Sequence, residues 1–282
     1  MTSRAVTATS PGTELGDLLR QWRGRRGKSQ SELSLDTGIS QRHISFVESG
    51  KSAPSRDTLI VMAEALDVPL RDRNALLLAA GYAPLYSDRG WDAAEMDGLK
   101  RAIQRMLQQH EPYPAVVMDR YWNVLMANEA APRFFGAFID MSARPAPRNL
   151  LHLMFDPQGM RPFLEGWDSL ARGLVQRVHR ESIGRVVDGR TRELLAVLMA
   201  YPDVRPEWRN AATADISPLS PVIGYRFRWR GATLNYFSMV TTVGSPAAVA
   251  AQELRIECMF PSDDATERRH LQLLESSRDR VL

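Results

Sequence analysis

The stretch Ser29–Gly50, SQSELSLDTGISQRHISFVESG, decides how the rest of this chain is read. It holds two helix starts of the same kind, Ser29-Gln30 and Ser40-Gln41. In each, the serine hydroxyl can accept from an orphan N–H of the first turn. Glu32 follows Ser29 at the spacing of a capping box. Between the helices lies Thr37-Gly38-Ile39, where Gly38 can take the left-handed conformation of a tight turn. Leu33, Ile39, Ile44 and Val47 are spaced to close a small joint core, and Ser34 is small enough for the crossing. Gln41, Arg42, His43, Ser45 and Phe46 remain outward on the second helix. An amide, a guanidinium, small donors and one apolar ring are groups that read base edges in a major groove.

Charge around this stretch is uneven. Arg20, Arg23, Arg25, Arg26 and Lys28 precede it, and Arg42, Lys51 and Arg56 fall in or after it. The net charge of +3 decides little, whereas a local cluster is an electrostatic footprint for phosphate. The 282 residues suggest two domains, and 44% hydrophobic with 24% charged residues is the balance of a globular protein. Cys258 is the only cysteine, which excludes a disulfide framework and a cysteine metal cluster and fits a reducing cytoplasm. No apolar run approaches the ~18 residues of a membrane span, and MTSRAVTATSPGT lacks the apolar core of a signal peptide. A cytoplasmic protein without a membrane partner is expected.

Taken in order, residues 1–12 read as a disordered terminus and 13–82 as a five-helix domain. Its first helix is expected over Glu14–Arg26, capped by Thr13, with Leu15, Leu18, Leu19 and Trp22 as the buried stripe. Ser55 caps a fourth helix, and a fifth runs from Leu70 to Ala80. Residues 83–110 read as a linker and a connecting helix, Ala93–His110, which either carries the second domain or pairs with its copy. Over 111–282 the period changes. Ala115–Met118 and Trp122–Ala127 read as strands, and Glu129–Phe138 as a helix. A helical middle follows over Asn149–Phe155, Met160–Ile183 and Arg192–Met199. Three strands, Val222–Arg230, Thr233–Val243 and Glu253–Phe260, precede a last helix, Asp264–Leu274. The fold class is α+β in two domains, the second a five-stranded antiparallel sheet with a helical face.

Two resemblances follow from these residues. The Ser29–Gly50 stretch resembles the helix-turn-helix of phage repressor-like Cro/C1-type (XRE) regulators. The strand pair running into a helix is how a PAS-type domain begins. In order along the chain, SQRHISFVESGKSAPSRDTL, RDRNALLLAAGYAP, EPYPAVVMDRYWNVLMAN, NLLHLMFDPQGMRPFLEGW and ELRIECMFPSDDAT together resemble the MmyB-like transcription regulators. That resemblance implies a repressor-like helix-turn-helix joined to a PAS-like ligand-binding domain, with a fatty acid as an implied ligand.

Contacts that position are distinct from contacts that specify. By the resemblance, Gln30 clamps phosphate at the start of its helix, aided by the helix N-terminus. Lys51, Ser52 and Arg56 lie where the adjacent backbone would pass. Base reading falls to Gln41, Arg42 and Ser45, with double-stranded operator DNA as partner. Phe46 either touches a thymine methyl or packs on the protein, and His43 is a phosphate contact or a spectator. The resemblance also implies that Glu48 pairs with Arg23. Poor discrimination by a single half-site points to a homodimer.

The apolar residues offered as pocket walls are Trp122, Met126, Leu151, Met154, Phe155, Trp167, Leu170, Tyr225, Phe237 and Met239. Val124, Phe163, Leu164, Leu174 and Phe227 stand beside them. Any one of these is ordinary core taken alone, and the wealth of Met and aromatics suits a deformable pocket for a hydrophobic effector. For a polar head, Arg120, Asn128, His152 and Arg226 are the candidates. His110, His152, His179 and His270 are scattered without metal-ligand spacing, and no nucleophile motif or phosphate-binding glycine loop occurs. No cofactor, metal or catalysis is expected. An alternative reading keeps the DNA-binding domain, as a repressor or antitoxin, and gives the second domain only dimerisation or a protein partner.

Overall fold

A computed structural model describes residues 11–144, 146–183, 189–209 and 224–278. The chain divides into two compact units. The first is built on residues up to 89 together with 247–252, and the second on the remaining described residues.

The first unit is helical: α1 (Pro11–Arg25), α2 (Gln30–Thr37), α3 (Gln41–Glu48), α4 (Arg56–Ala65) and α5 (Leu70–Ala79). Helix α1 starts at Pro11, so Thr13 lies inside its first turn rather than ahead of it. Proline suits that end, where its missing N–H would have no intrahelical partner. The disorder expected of the terminus falls largely on residues 1–10, outside the described residues. Ser29 accepts from Glu32 N at 3.1 Å, and Glu32 Oε2 accepts from Ser29 N at 2.7 Å, which is the expected capping box. The Ser40 and Ser55 side chains cap α3 and α4 by accepting from His43 N and Thr58 N. Gly38, at φ +70°, turns the chain between α2 and α3 and donates to Ser34 O. Leu15, Leu19, Trp22, Leu33, Ile44, Val47, Leu59 and Met62 form one core, with Ile39 partly buried against it.

The second unit begins with a short 3-10 turn and α6 (Asp97–Gln109), whose Ile103 and Leu107 are buried. Its sheet is made of β1 (Ala115–Met118), β2 (Val124–Ala127), β3 (Gly224–Trp229), β4 (Ala232–Thr241) and β5 (Arg255–Pro261). The order is β2-β1-β5-β4-β3, with every described neighbour antiparallel. The helices α7 (Ala130–Gly136), α8 (Leu150–Phe155), α9 (Trp167–Ile183), α10 (Gly189–Ala200) and α12 (Asp264–Arg278) complete this unit. The short α11 (Val249–Glu253) lies between β4 and β5 in the chain.

Three expectations are corrected here. Trp122 does not open β2. It sits in the left-handed region at φ +67°, in a turn held by Asp119, whose carboxylate accepts from Tyr121 N, Asn123 N and Asn123 Nδ2. The helical run expected from Met160 breaks at Gly166, φ +67°, and α9 starts afresh at Trp167. Glu253 ends α11 instead of starting the last strand, which begins at Arg255. The β3–β4 hairpin turns through Arg230 and Gly231, both at positive φ, the conformation whose twist matches that of the flanking strands.

One face of the sheet carries the main core. Val116, Met118, Tyr225, Phe227, Leu234, Tyr236 and Met259 point into it and meet Phe134, Leu151, Phe155, Trp167 and Leu273 from the helices. Phe134 is its centre, with ring centroids of Phe135, Phe138, Phe227 and Tyr236 at 5.2–5.4 Å in edge-on arrangements. Asp263 Oδ1 accepts from Thr266 N and caps α12. His270 bonds Tyr236 Oη and Pro112 O from full burial. Burial lowers its pKa, so it serves as a neutral core histidine.

Candidate functional site

The first unit presents α3 through a clamp on its C-terminal end. Gly16 of α1 packs so tightly there that a Cβ would stand 2.3 Å from Glu48 O. One helical turn on, Arg20 Nη2 donates to that same carbonyl at 2.6 Å. Almost another turn on, Arg23 grips the Glu48 carboxylate with two parallel bonds, Nε to Oε1 at 2.6 Å and Nη2 to Oε2 at 2.8 Å. Gln30 Nε2 of α2 adds a third bond to Oε2 at 2.8 Å. Burial pushes the Glu48 carboxyl up, but the bonds from Arg23 and Gln30 and the arginine charge outweigh it and hold the pKa below the ordinary value. The Glu48 bond in turn raises the Arg23 pKa. Cations at a helix C-terminus are favoured by the helix dipole as well. The pairing of Arg23 with Glu48 was implied by the resemblance to repressor-like folds; the roles of Gly16 and Arg20 were missed, because both depend on how α1 and α3 cross.

The outer side of α3 leaves Gln41, Arg42 and Phe46 exposed and His43 and Ser45 half-buried. Arg42 lies over the Phe46 ring at 5.3 Å, so the guanidinium and the ring form one unit on this face. After α3, Gly50 turns the chain, and Lys51 N and Ser52 N both donate to Phe46 O, setting these two residues beside the end of the helix. Arg56 is exposed at the start of α4. The early basic run is partly committed inside the unit. Arg26 donates to Leu66 O and Asp67 O, while Lys28 donates to Asp36 Oδ2 and Ala65 O.

In the second unit a cavity is walled by Val116, Trp122, Phe135, Leu150, Leu151, Met154, Leu174, Tyr225, Phe227 and Met259, with Pro114 and Glu257. Its space is about 20 Å³, room for roughly one water. Of the expected wall residues, Trp122, Leu151, Met154, Leu174, Tyr225 and Phe227 line it. Phe155 and Trp167 are core behind it, and Leu170 lines an adjacent cleft with Leu174, Arg177, Tyr225, Ser238 and Val240. Met126 is half-buried on β2 and does not line it.

Phe237 and Met239 are corrections. They lie on the opposite face of β4, where Phe237 stacks on Phe260 at 5.3 Å and Met239 is 57% exposed. The pairs Tyr225↔Tyr236 and Phe227↔Leu234 set the even-numbered residues of β4 toward the core, and a shift of one residue exchanges the faces of a strand. None of the four head-group candidates lines the cavity. Arg120 pairs with buried Glu253 at 3.0 Å, and Asn128 is tied to Ala115 N, Ala131 N and Tyr113 O. His152 bonds Tyr201 Oη, and Arg226 stands beside Gly166.

The polar group on the cavity wall is one sequence reasoning missed, Glu257. It is 4% exposed, on β5 opposite Val116. Tyr225 Oη donates to its Oε1 at 3.1 Å. Burial, then the Glu257 charge, raises the Tyr225 pKa, so this phenol stays a donor. A charged residue inside the apolar run Ile256–Met259 was the signal available in the sequence. Among the described residues no group of His, Cys, Asp and Glu is arranged to hold a metal ion, and no helix is long and apolar enough to cross a membrane.

These features agree with the family comparisons. Residues 99–274 match the MmyB-like transcription regulator ligand binding domain, and residues 19–72 match a helix-turn-helix family. The first match spans more than half of the chain, which therefore belongs to the MmyB-like transcription regulators. It is a DNA-binding transcription regulator with a ligand-binding domain, and the families matched are those of regulators rather than enzymes. No curated protein matches the chain.

Proposed function

We propose that this protein is a sequence-specific, cytoplasmic regulator that binds its operator as a homodimer and responds to a hydrophobic small molecule, a fatty acid being a candidate. The observation that carries the reading is the apolar cavity at the centre of a domain whose family is named for ligand binding. Gln41, Arg42 and Ser45 read bases on this view, while Gln30, Lys51, Ser52 and Arg56 hold phosphates, with His43 and Phe46 at the edge of the footprint.

At about 20 Å³ the cavity is narrow, far below the ~300 Å³ of a working ligand pocket. A ligand must therefore open it. Met154 and Met259 in its wall are the side chains best able to yield, being unbranched and adaptable. Each methylene that enters contributes up to about 0.8 kcal/mol, which offsets the cost of separating packed walls. Regulation requires that the ligand prefer one DNA-binding state over the other; equal affinity for both would shift nothing.

The test has two parts. Organic extraction and mass spectrometry of the purified chain should find a hydrophobic molecule, and operator binding should change when that molecule is removed and restored. A chain that carries none, takes up none across a range of chain lengths and binds its operator identically throughout would leave a dimerising scaffold as the reading. Light scattering should give a dimer at DNA-binding concentrations, and a monomer both free and on DNA would defeat the assembly proposed.

A further inference from the structure

Part of the crossover between β4 and β5 belongs to the first unit. Residues 247–252 pack there, although the chain reaches them from β4 and leaves them for β5. Val249 N donates to Ser87 O at 2.9 Å, beside a parallel bridge between Ser87 and Ala248. The segment that receives them is itself fixed, because buried Asn74 of α5 bonds Leu85 N, Tyr86 N and Tyr86 O. Val249 is fully buried and Ala251 nearly so. Gln252 Oε1 accepts from Leu70 N at 2.7 Å. Leu70 opens α5, where Pro69 supplies no side-chain cap, so a glutamine 182 residues away satisfies an N–H that the helix itself leaves open. From α5, Leu76 and Leu77 enter the same core as Ile44 and Val47 of α3.

The next residue is anchored in the second unit. Glu253 Oε1 accepts from Arg120 Nη1 at 3.0 Å, with both side chains buried. A single peptide bond therefore joins a hold on α5 to a hold on the ligand-binding domain, which leaves no slack between the two. A few residues further on, β5 carries Glu257 and Met259 in the cavity wall. Resting on the reading above that this cavity takes the effector, we propose that the α11 crossover is the regulatory link: opening the cavity moves β5, and that movement draws Gln252 away from Leu70 N. At 2.7 Å the bond is already at the short end of its range, so displacement lengthens and weakens it. The released first turn of α5 loosens the core that seats α3, and with it the reading helix. Empty and occupied cavities then differ in a contact, as a ligand requires in order to shift an equilibrium.

The experiment follows amide hydrogen exchange at Leu70 and operator affinity in the full chain, stripped of any bound lipid, with decanoate or hexadecanoate as the probe. An acid that binds should speed exchange at Leu70 on the order of fivefold, the worth of one hydrogen bond, and should shift operator affinity. Gln252→Ala should exchange fast at Leu70 without any acid, and its operator affinity should respond several-fold less. It should also bind the acid more tightly, on the order of fivefold, because no bond has to be broken to open the cavity and coupling is reciprocal. A glutamine that only fastened a loop would leave the acid's affinity unchanged, and that result would overturn the proposal. So would an acid that binds the natural chain without changing exchange at Leu70, a measurement that needs no variant and decides the matter even if Gln252→Ala does not fold. Failure of both acids to bind would overturn the effector reading and this inference with it, a different result from binding without a response.

Discussion

Arg23 and Glu48 form a two-bond ion pair that fastens the end of α3 to α1, with the carboxylate 2% and the guanidinium 17% exposed. Because Gln30 shares the same carboxylate, three helices converge on one side chain. Losing one partner of this part-buried pair leaves the other poorly compensated, at a cost of about 1–3 kcal/mol. Arg23→Ala and Glu48→Ala should each destabilise the first unit by an amount of that order. Denaturant titrations of the singles and the double should reveal coupling of about 1–3 kcal/mol. Additive effects would mean that the two charges do not meet in solution.

The same pair sets an acid limit. Glu48 is held below the ordinary carboxylate pKa in the fold, so the unfolded chain binds that proton more tightly. Its contribution is complete above the unfolded value of about 4.3 and is lost as pH falls through the lower folded value. The stability of the helix-turn-helix unit should therefore fall on acidification below about pH 4.3, and less steeply in Glu48→Gln. Identical pH profiles for the two would remove this carboxyl as the source.

On the DNA side, Arg42 and Lys51 should behave differently. Arg42→Ala should relax preference at one or two base positions and cost about 1–3 kcal/mol on the preferred operator. Lys51→Ala should weaken all sequences alike and reduce the salt slope by about 1. Since Arg42 rests on Phe46, Phe46→Ala should loosen the same positions as Arg42→Ala. Selection from a random library at two salt concentrations would separate these outcomes, and unchanged profiles in all three variants would refute this docking.

Phe134 meets four aromatic rings edge-on and the His270 ring beside them, and it is fully buried. Phe134→Ala should cost the second unit about 3–5 kcal/mol through lost contacts and the cavity left behind. Thermal unfolding would measure it, and a loss well under that range would mean that the surrounding rings collapse into the space.

Met239 provides the contrast. Exposed on the far face of β4, Met239→Ser should change stability by no more than about 0.5 kcal/mol and leave small-molecule binding alone. A loss of ligand retention in this variant would restore the strand parity first read from the sequence.

Local patterns carried the sequence far in the first unit. The serine caps, the capping box at Glu32, the Gly38 turn and the stripe through Leu33, Ile44 and Val47 are short-range signals, and the helices formed where they pointed. The Arg23–Glu48 pair came from resemblance to the repressor-like fold, and Gly16, whose close approach depends on how two helices cross, stayed invisible. In the second unit five strands and a helical face were legible, because apolar runs and turn residues are also local.

Strand parity was not legible, because β4 is apolar on both sides and only pairing with β3 decides which set of residues turns inward. Phe237 and Met239 were therefore assigned to the wrong face. Glu257 was missed for a related reason. In sequence it is one charge among apolar neighbours; only the packing of β5 against β1, with Tyr225 on one oxygen and a cavity beside it, gives that charge a meaning. The order of caps and hydrophobic runs determined which elements exist, whereas the environment of a buried polar group depends on residues distant in sequence that meet only once the sheet has closed.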